Sequence, residues 1–245
     1  MSELTKRFEE LSERAYRTGK VFYTDFLSMY ELSELNENLY SYSYAGVDTF
    51  GGYDGAERRM VSFGDREYLS NADYPIRIIK ASASGGEKFA QALTHRDYLG
   101  ALMNLGIDRK LTGDISVSGA NAYICVCDHI ADYICSSLVK VKNTNVSCEI
   151  CDFGVFEVKK EEKTCFVPSY RIDCLIGEVY NLSRRESLEY FEKELVFLDG
   201  KLCTSASKNI KENSIISGRG KGKFEVGEIR ITKKDRLAIT VYKYV

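Results

Sequence analysis

The chain has 245 residues, with 34 Lys plus Arg against 36 Asp plus Glu, a formal net charge of −2. A balance so close to zero excludes a uniformly basic nucleic-acid coat and a polybasic membrane-surface protein. Apolar residues at 44% and charged ones at 29% suit a globular chain with a real core, and the length suits two domains or three small ones.

The opening MSELTKRFEELSERAYR is charged throughout, so no secretory signal is expected. No apolar run approaches the ~18 residues needed to cross a bilayer. A cytoplasmic, reducing location is therefore expected for the eight cysteines. Cys125-x-Cys127 and Cys148-x-x-Cys151 have pair spacing that suits zinc, but both lie in β-like runs without a knuckle glycine, and His95 and His129 are the two histidines. Free cysteines acting as small apolar side chains are the expectation, with no metal and no cofactor.

In chain order, Leu4, Phe8, Leu11 and Ala15 predict a helix over 3–17. Ser28 and Glu31 form a capping box for a second helix, with Leu32, Leu35 and Leu39 as its stripe. YSYSYAGVDTFGGYDGAERRMVSF reads as a short β pair interrupted by Gly51, Gly52 and Gly55. Residues 1–74 thus read as a small helical domain with a β appendage.

A different rhythm begins at Pro75. IRIIKASAS is a strand, and Thr94 with Asp97 caps a helix over 95–104 that Gly106 closes. DISVSGANAYICV reads as two strands turning at Ser118-Gly119. Asp128 caps a helix to about 141, with Ile130, Ile134, Leu138 and Val141 on one stripe, and NVSCEICDF is a last strand. The order β-α-β-β-α-β over 75–160 predicts a ferredoxin-like plait, the architecture of RNA-recognition domains. Tyr123 is the one aromatic on its central strands, so a base-stacking sheet face is weakly supported.

VKKEEKTCFVPS reads as a charged linker ending at Pro168. The module 169–245 follows: a helix over Tyr170–Tyr180, a break at Asn181-Leu182, a helix capped by Ser183 and Glu186, a hairpin turning at Asp199-Gly200, and an alternating β tail. The fold class is α+β. This module holds 15 basic and 11 acidic residues, net +4, on a body of net −6. Such asymmetry suggests an anionic partner, with a solvated charged surface as the commoner explanation.

Placement is more telling than number. Arg184 and Arg185 occupy the first turn of a helix and Arg171 lies near the start of another, where the dipole disfavours cations. Beside free backbone N–H groups they make a phosphate seat, unless Glu186, Asp173 and solvent neutralise them locally. SGRGKGKF then alternates glycines with Arg219, Lys221 and Lys223, a pattern suited to close approach to a phosphate chain. It is no Walker loop, since no Ser or Thr follows Gly222-Lys223.

Other sites read blandly. His95-Arg96-Asp97 imitates a kinase triplet without the rest of the kinase set. Even so, His95, Arg96, Tyr98, Arg109 and Lys110 form a candidate second RNA contact, against core packing and surface solvation. Ser183 reads as a cap rather than a nucleophile, because no histidine base stands near it in the pattern. Glu186, Glu189, Glu192 and Glu194 read as a solvated helix face.

RIDCLIGEVYNLSRRESLEYFEKELVFLDGKL, followed by ISGRGKGKF, resembles the RNA-binding domain named after small-subunit ribosomal protein four, the S-four domain. Arg171, Asp173, Ser183, Arg184 and Lys201 match its mark. VFYTDFLSMYE, GGYDGAERR and LTHRDYLGALMNLGIDRKLTGDI resemble the YlmH family of bacterial ribosome-associated proteins. The chain departs from the pattern in three places. EKELVFLDG lacks the glycine usual before the hairpin, Asp199 stands where Asn is common, and the loop ends Gly-Lys-Phe rather than Gly-Arg-Phe. Lys223 keeps the charge and loses the bidentate fork.

The resemblance implies an RNA-binding factor of the large ribosomal subunit that meets rRNA and tRNA, acts on subunits blocked by peptidyl-tRNA, and supports tailing of the stalled chain. The expectation is a non-catalytic monomer without a membrane partner, able to meet other quality-control proteins. The rivals are an RNA-modifying enzyme, a pseudouridine synthase or methyltransferase using the same domain for substrate, and a scaffold docking through its acidic body. The sequence has no catalytic Asp loop of the synthase kind and no Gly-rich adenosylmethionine loop.

Overall fold

Ser2 accepts a hydrogen bond from the Thr5 N–H and starts α1 (Glu3–Thr18), which the left-handed Gly19 ends. Its buried face, Phe8, Leu11 and Ala15, packs on Tyr42, Val61 and Phe63. The computed structural model describes residues 2–65, 73–84, 93–152, 160–232 and 236–244. Two compact units divide the chain, Met1–Glu157 and Val158–Val245. Among the described residues no helix is long and apolar enough to cross a membrane.

In the first unit, the Ser28–Glu31 capping box forms and starts α2 (Met29–Glu37). The helix stops before Leu39, which opens a separate turn, α3 (Leu39–Tyr42), and is 40% exposed. Leu39 therefore does not extend the apolar stripe. The expected β pair is β2 (Val47–Phe50) with β3 (Met60–Phe63), and β1 (Phe22–Tyr23) adds a third strand in the order β1-β3-β2.

Next come β4 (Ile76–Ala83), α4 (His95–Asn104), β5 (Thr112–Ser118), β6 (Asn121–Cys127), α5 (Asp128–Ser137), β7 (Lys140–Val141) and β8 (Thr144–Cys151). They build a five-stranded sheet ordered β5-β6-β4-β8-β7, antiparallel throughout. The β5–β6 turn falls on Gly119 and Ala120, one residue beyond the expected position, because Ser118 pairs with Asn121. Asp128 is the first residue of α5 rather than its cap, which is Cys127. That helix ends at Ser137, not near 141, and Val141 pairs with Thr144 in a tight hairpin. Leu138 and Val141 are buried as the helical spacing requires, but from extended backbone.

Residues alternate across a strand, so this sheet has two apolar faces. Ile79, Ala81, Ile124 and Val126 meet α4 and α5. Ile76, Ile78, Cys125 and Cys127 meet Phe26, Phe50, Met60 and Tyr74 from the amino-terminal part. A polar clamp closes this seam. Arg58 donates to the carbonyls of Thr112 (3.0 Å) and Phe26 (2.8 Å), while Asp114 accepts from Tyr53 Oη and the Glu57 N–H, each at 2.7 Å.

The second unit holds β9 (Lys160–Val167), α6 (Ile172–Tyr180), α7 (Arg184–Glu192), β10 (Val196–Leu198), β11 (Lys201–Leu202), β12 (Ile215–Gly218), β13 (Gly222–Ile231) and β14 (Leu237–Tyr244). Six strands form one sheet ordered β11-β10-β12-β13-β14-β9. The expected linker is thus a strand from residue 160, paired with β14 along its whole length. It is an edge strand whose first five residues are exposed, and charge on such an edge discourages further pairing. That is why it reads as a linker. Cys165 and Val167 enter the core with Leu175, Ile176 and Phe224.

One ion pair in the first unit yields a pH prediction. Asp97 accepts from the Thr94 N–H at 2.8 Å and lies 2.7 Å from Lys142 Nζ. The Lys142 hydrogen bond, then those from Thr94, hold its carboxyl down from the ordinary 3.8 to about 2. A depressed carboxylate stabilises the fold fully above its unfolded pKa, and that contribution is lost as pH falls through the folded one. Asp97→Ala should therefore lower the urea midpoint at neutral pH, and the gap from the parent should close between pH 3.8 and about 2. A gap independent of pH would show that the charge plays no part.

Candidate nucleic-acid interface

The carboxyl-terminal unit positions its cations through backbone geometry. Arg171 is the N-cap of α6 and bridges to Asn209, while the Ile172 N–H donates to Lys208 O and the Ile210 N–H to Tyr170 O. The helix start is thereby stitched to the 206–210 segment. Arg171 grips Asp173 with a fork, Nε to Oδ1 at 3.0 Å and Nη2 to Oδ2 at 2.6 Å. Asp173 is 6% exposed. Burial pushes its carboxyl up, but the Arg171 fork and the Cys174 N–H outweigh burial and leave it lowered. A buried carboxylate offers nothing to an anion. Asp173 holds the Arg171 guanidinium in place from a buried position.

Asn181 takes the left-handed conformation between the two helices, and α7 then starts with a complete capping box. The Ser183 side chain accepts from the Glu186 N–H, and Glu186 accepts from the Ser183 N–H at 2.7 Å. Ser183 is fully used as a cap. Arg184 and Arg185 are both exposed in this first turn. Arg185 pairs with Glu189 at 3.2 Å, whereas Arg184 has no ion pair among the described residues.

The glycine-rich segment is the turn between β12 and β13, with Gly220 and Gly222 at φ 80° and 87°. A side chain at either would be strained there. Beneath it, Tyr180 Oη donates to Gly222 O at 2.9 Å, and the Arg219 N–H donates to Leu195 O at 2.9 Å. The turn is thus tied to the end of α6 and the chain after α7. Lys221 helps hold down the Glu186 carboxylate, after the stronger effect of the Ser183 hydrogen bonds. Arg219 lies 5.3 Å from the Phe197 ring centroid.

The fold therefore brings Lys221 near the head of α7, while Arg219 is held beside the chain after that helix and the Phe197 ring. Lys223 sits half-buried on β13, its Nζ 4.0 Å over the Tyr244 ring. Burial pulls its pKa from 10.5 to about 8. Lys201 is separated from this group. It pairs with Leu198, at the end of β10 opposite Val196, which faces the Gly218 turn. Sequence reasoning passed over two members of this surface. Arg236 bonds Phe166 O at 2.7 Å, and Ser187 is buried on the inner side of α7. The basic run before β14 was the available signal for Arg236; nothing marked Ser187.

The second expected contact group, on α4 and its following loop, does not form a basic surface. Tyr98 is 1% exposed and packs with Leu102 in the core, which removes it as a contact. Arg109 is turned inward, donating to Thr112 Oγ1 at 2.7 Å and Gly113 O at 3.0 Å. Desolvation, and after it the Arg109 charge, pulls the His95 pKa below its ordinary value. Lys110 lies 3.8 Å from Asp25 and 3.9 Å from Asp108. Arg96 is exposed and carries no ion pair among the described residues.

Tyr123 packs against the covered face of the sheet. The four buried cysteines are Cys125, Cys127, Cys165 and Cys203, and burial pushes the Cys127 thiol up to about 12. Among the described residues no cluster of three His, Cys, Asp or Glu is arranged to hold a metal ion.

The turn's seating can be tested. A Cβ on Gly218 would lie 2.9 Å from the Tyr180 ring, so Gly218→Ala should destabilise this unit by about 1–3 kcal/mol, read from urea unfolding. Unchanged stability would mean that Tyr180 does not support the turn.

Residues 2–68 match the family model described as "YlmH, N-terminal", and residues 70–154 match "Putative RNA-binding domain in YlmH". A Bacillus subtilis (strain 168) protein named "Ribosome-associated protein quality control protein P2" is 30% identical over 200 residues, 80% of this chain and 77% of the relative. A solved structure of "Cell division protein ylmH" from Streptococcus pneumoniae has a TM-score of 0.50 at 24% identity, covering 61% of this chain and 90% of the other, and speaks to the fold alone. The two family models adjoin across the first unit, and the relative spans most of both chains: the chain belongs to the YlmH family.

Proposed function

We propose that the protein is a non-catalytic RNA-binding factor of the cytoplasm that associates with the large ribosomal subunit and serves ribosome-associated quality control. One observation carries this reading. Arg184 stands exposed in the first turn of α7 without an ion pair among the described residues, and Lys221 of the β12–β13 turn acts on Glu186 of that first turn. Cations at a helix N-terminus are held there against the dipole, and an incoming phosphate relieves that conflict. The name of the Bacillus relative supports the ribosomal setting.

The finer architecture belongs to the same proposal. The strand order β5-β6-β4-β8, with α4 and α5 against one face, supports a ferredoxin-like plait for the middle part of the first unit. The α6–α7 pair followed by the small β10–β11 hairpin supports an S-four domain at the carboxyl end. On this reading three domains, 1–74, 75–160 and 169–245, share the chain, with the S-four helices gripping rRNA beside the tRNA of a blocked subunit.

Replacing Arg184 and Arg185 with Ala should weaken binding to structured RNA and reduce the salt slope by about 1 per lost phosphate contact. An unchanged slope with intact folding would remove the site. Co-sedimentation with large subunits should rise when peptidyl-tRNA is present, and equal recovery with small subunits would overturn the ribosomal assignment.

Lys223 adds a pH test. Its cation is the form that attracts phosphate, and burial lowers its pKa to about 8. RNA affinity should therefore fall as pH rises through 8, and Lys223→Arg should hold affinity level over the same range. Parallel pH curves for the two proteins would exclude Lys223 from the contact.

A further inference from the structure

A groove of about 510 Å³ opens between the end of β9, α6 and α7 of the carboxyl-terminal unit. Arg171, Arg184 and Arg236 all line it. Each guanidinium is held differently. Arg171 is forked to Asp173, Arg236 bonds the Phe166 carbonyl at 2.7 Å, and Arg184 has no ion pair among the described residues. The remaining lining includes Pro168, Cys174 and Leu182, so the groove is apolar along one part and cationic along another.

A second observation points to a ligand. Ser187, one turn into α7, is 2% exposed, lines this groove, and its Oγ has no hydrogen-bond partner. A buried hydroxyl left unpaired costs free energy, and its persistence calls for an explanation. The hydroxyl faces Gly177 of α6, where a Cβ would approach it to 2.9 Å. The backbone of α6 thus comes close at the position where the hydroxyl lies.

We infer that this groove seats one unpaired, unstacked nucleotide of the bound RNA, an inference that rests on the RNA-binding reading above. The volume decides against a lone phosphate, which would leave most of the space to water, and falls within the range of small-ligand sites. The mixed lining decides for a nucleotide. Its phosphate meets Arg171 and Arg184, and its base lies against Leu182 and Pro168 with a planar guanidinium available for stacking. Ser187 Oγ is the polar group that a base edge or ribose hydroxyl satisfies.

The test uses the full-length protein and two RNA hairpins that differ by one bulged 2-aminopurine. The protein should bind the bulged hairpin about tenfold more tightly than the fully paired one, and the 2-aminopurine fluorescence should change on binding. Ser169→Trp, which adds a bulky ring to the groove wall, should erase that preference and the fluorescence change while affecting affinity for the paired hairpin far less.

Equal binding of both hairpins by the unsubstituted protein, without a fluorescence change, would overturn the nucleotide seat while leaving RNA binding standing. A retained preference in folded Ser169→Trp would also overturn it. Failure to bind either hairpin would overturn the RNA-binding reading itself. The fluorescence readout on the unsubstituted protein keeps the inference falsifiable if the variant does not fold.

Discussion

An antiparallel sheet with helices on one face must either expose its second face or cover it, and in the first unit that face is too apolar to expose. Ile76, Ile78, Cys125 and Cys127 lie within 3% of full burial, and the isoleucine side chains alone favour burial by roughly 1.5–3 kcal/mol each. Phe26, Phe50, Met60 and Tyr74 provide the cover. Much follows from this. The three-stranded sheet is seated by that cover, and Arg58 and Asp114 are drawn inward to close the seam with hydrogen bonds to backbone.

The same constraint bears on what the second face of the sheet can offer a ligand. Domains of this strand order that stack bases use aromatics on the open sheet face. In this chain the corresponding surface is half filled by protein, and Tyr123 packs against the cover. Arg109 is committed to the Thr112 and Gly113 carbonyls for the same reason: it stands at the seam, where unpaired backbone acceptors would be costly. Its burial is a structural role that composition alone does not separate from an RNA contact.

What was legible in the sequence follows from how local each signal is. The capping boxes at Ser28, Thr94 and Ser183 all form, because a cap needs only residues three apart. The Asp199-Gly200 turn forms with both residues at positive φ, since turn chemistry is equally short-ranged. The α5 boundary was less legible. Ile134, Leu138 and Val141 keep helical spacing and are all buried, so the pattern reported burial correctly while Val141 reaches the core from a hairpin.

Strand β9 shows the opposite limit: eight residues with four exposed charges are held by a partner 70 to 84 positions away, and no local pattern reports that pairing. Within the candidate site, the arginines at the head of α7 were legible from their misplacement. Ser187 was not, and Arg236 was marked only by its basic run, because their meaning comes from the groove that tertiary folding creates.

The net charge of −2 now has a structural reading. In the carboxyl-terminal unit many cations are already answered: Arg171 by Asp173, Arg185 and Lys193 by Glu189, and Lys160 by Glu225. What distinguishes the patch is therefore the set of cations that local carboxylates leave unanswered, not the excess of +4. Arg184 is the clearest of these, because it belongs both to the first turn of α7 and to the groove wall. Around Arg184 the structure sets a cation without an ion pair among the described residues, a helix N-terminus and a prearranged neighbour in Arg171 along one groove wall. How the carboxylates are spent thus decides which cations stay unpaired among the described residues, which a charge total cannot express.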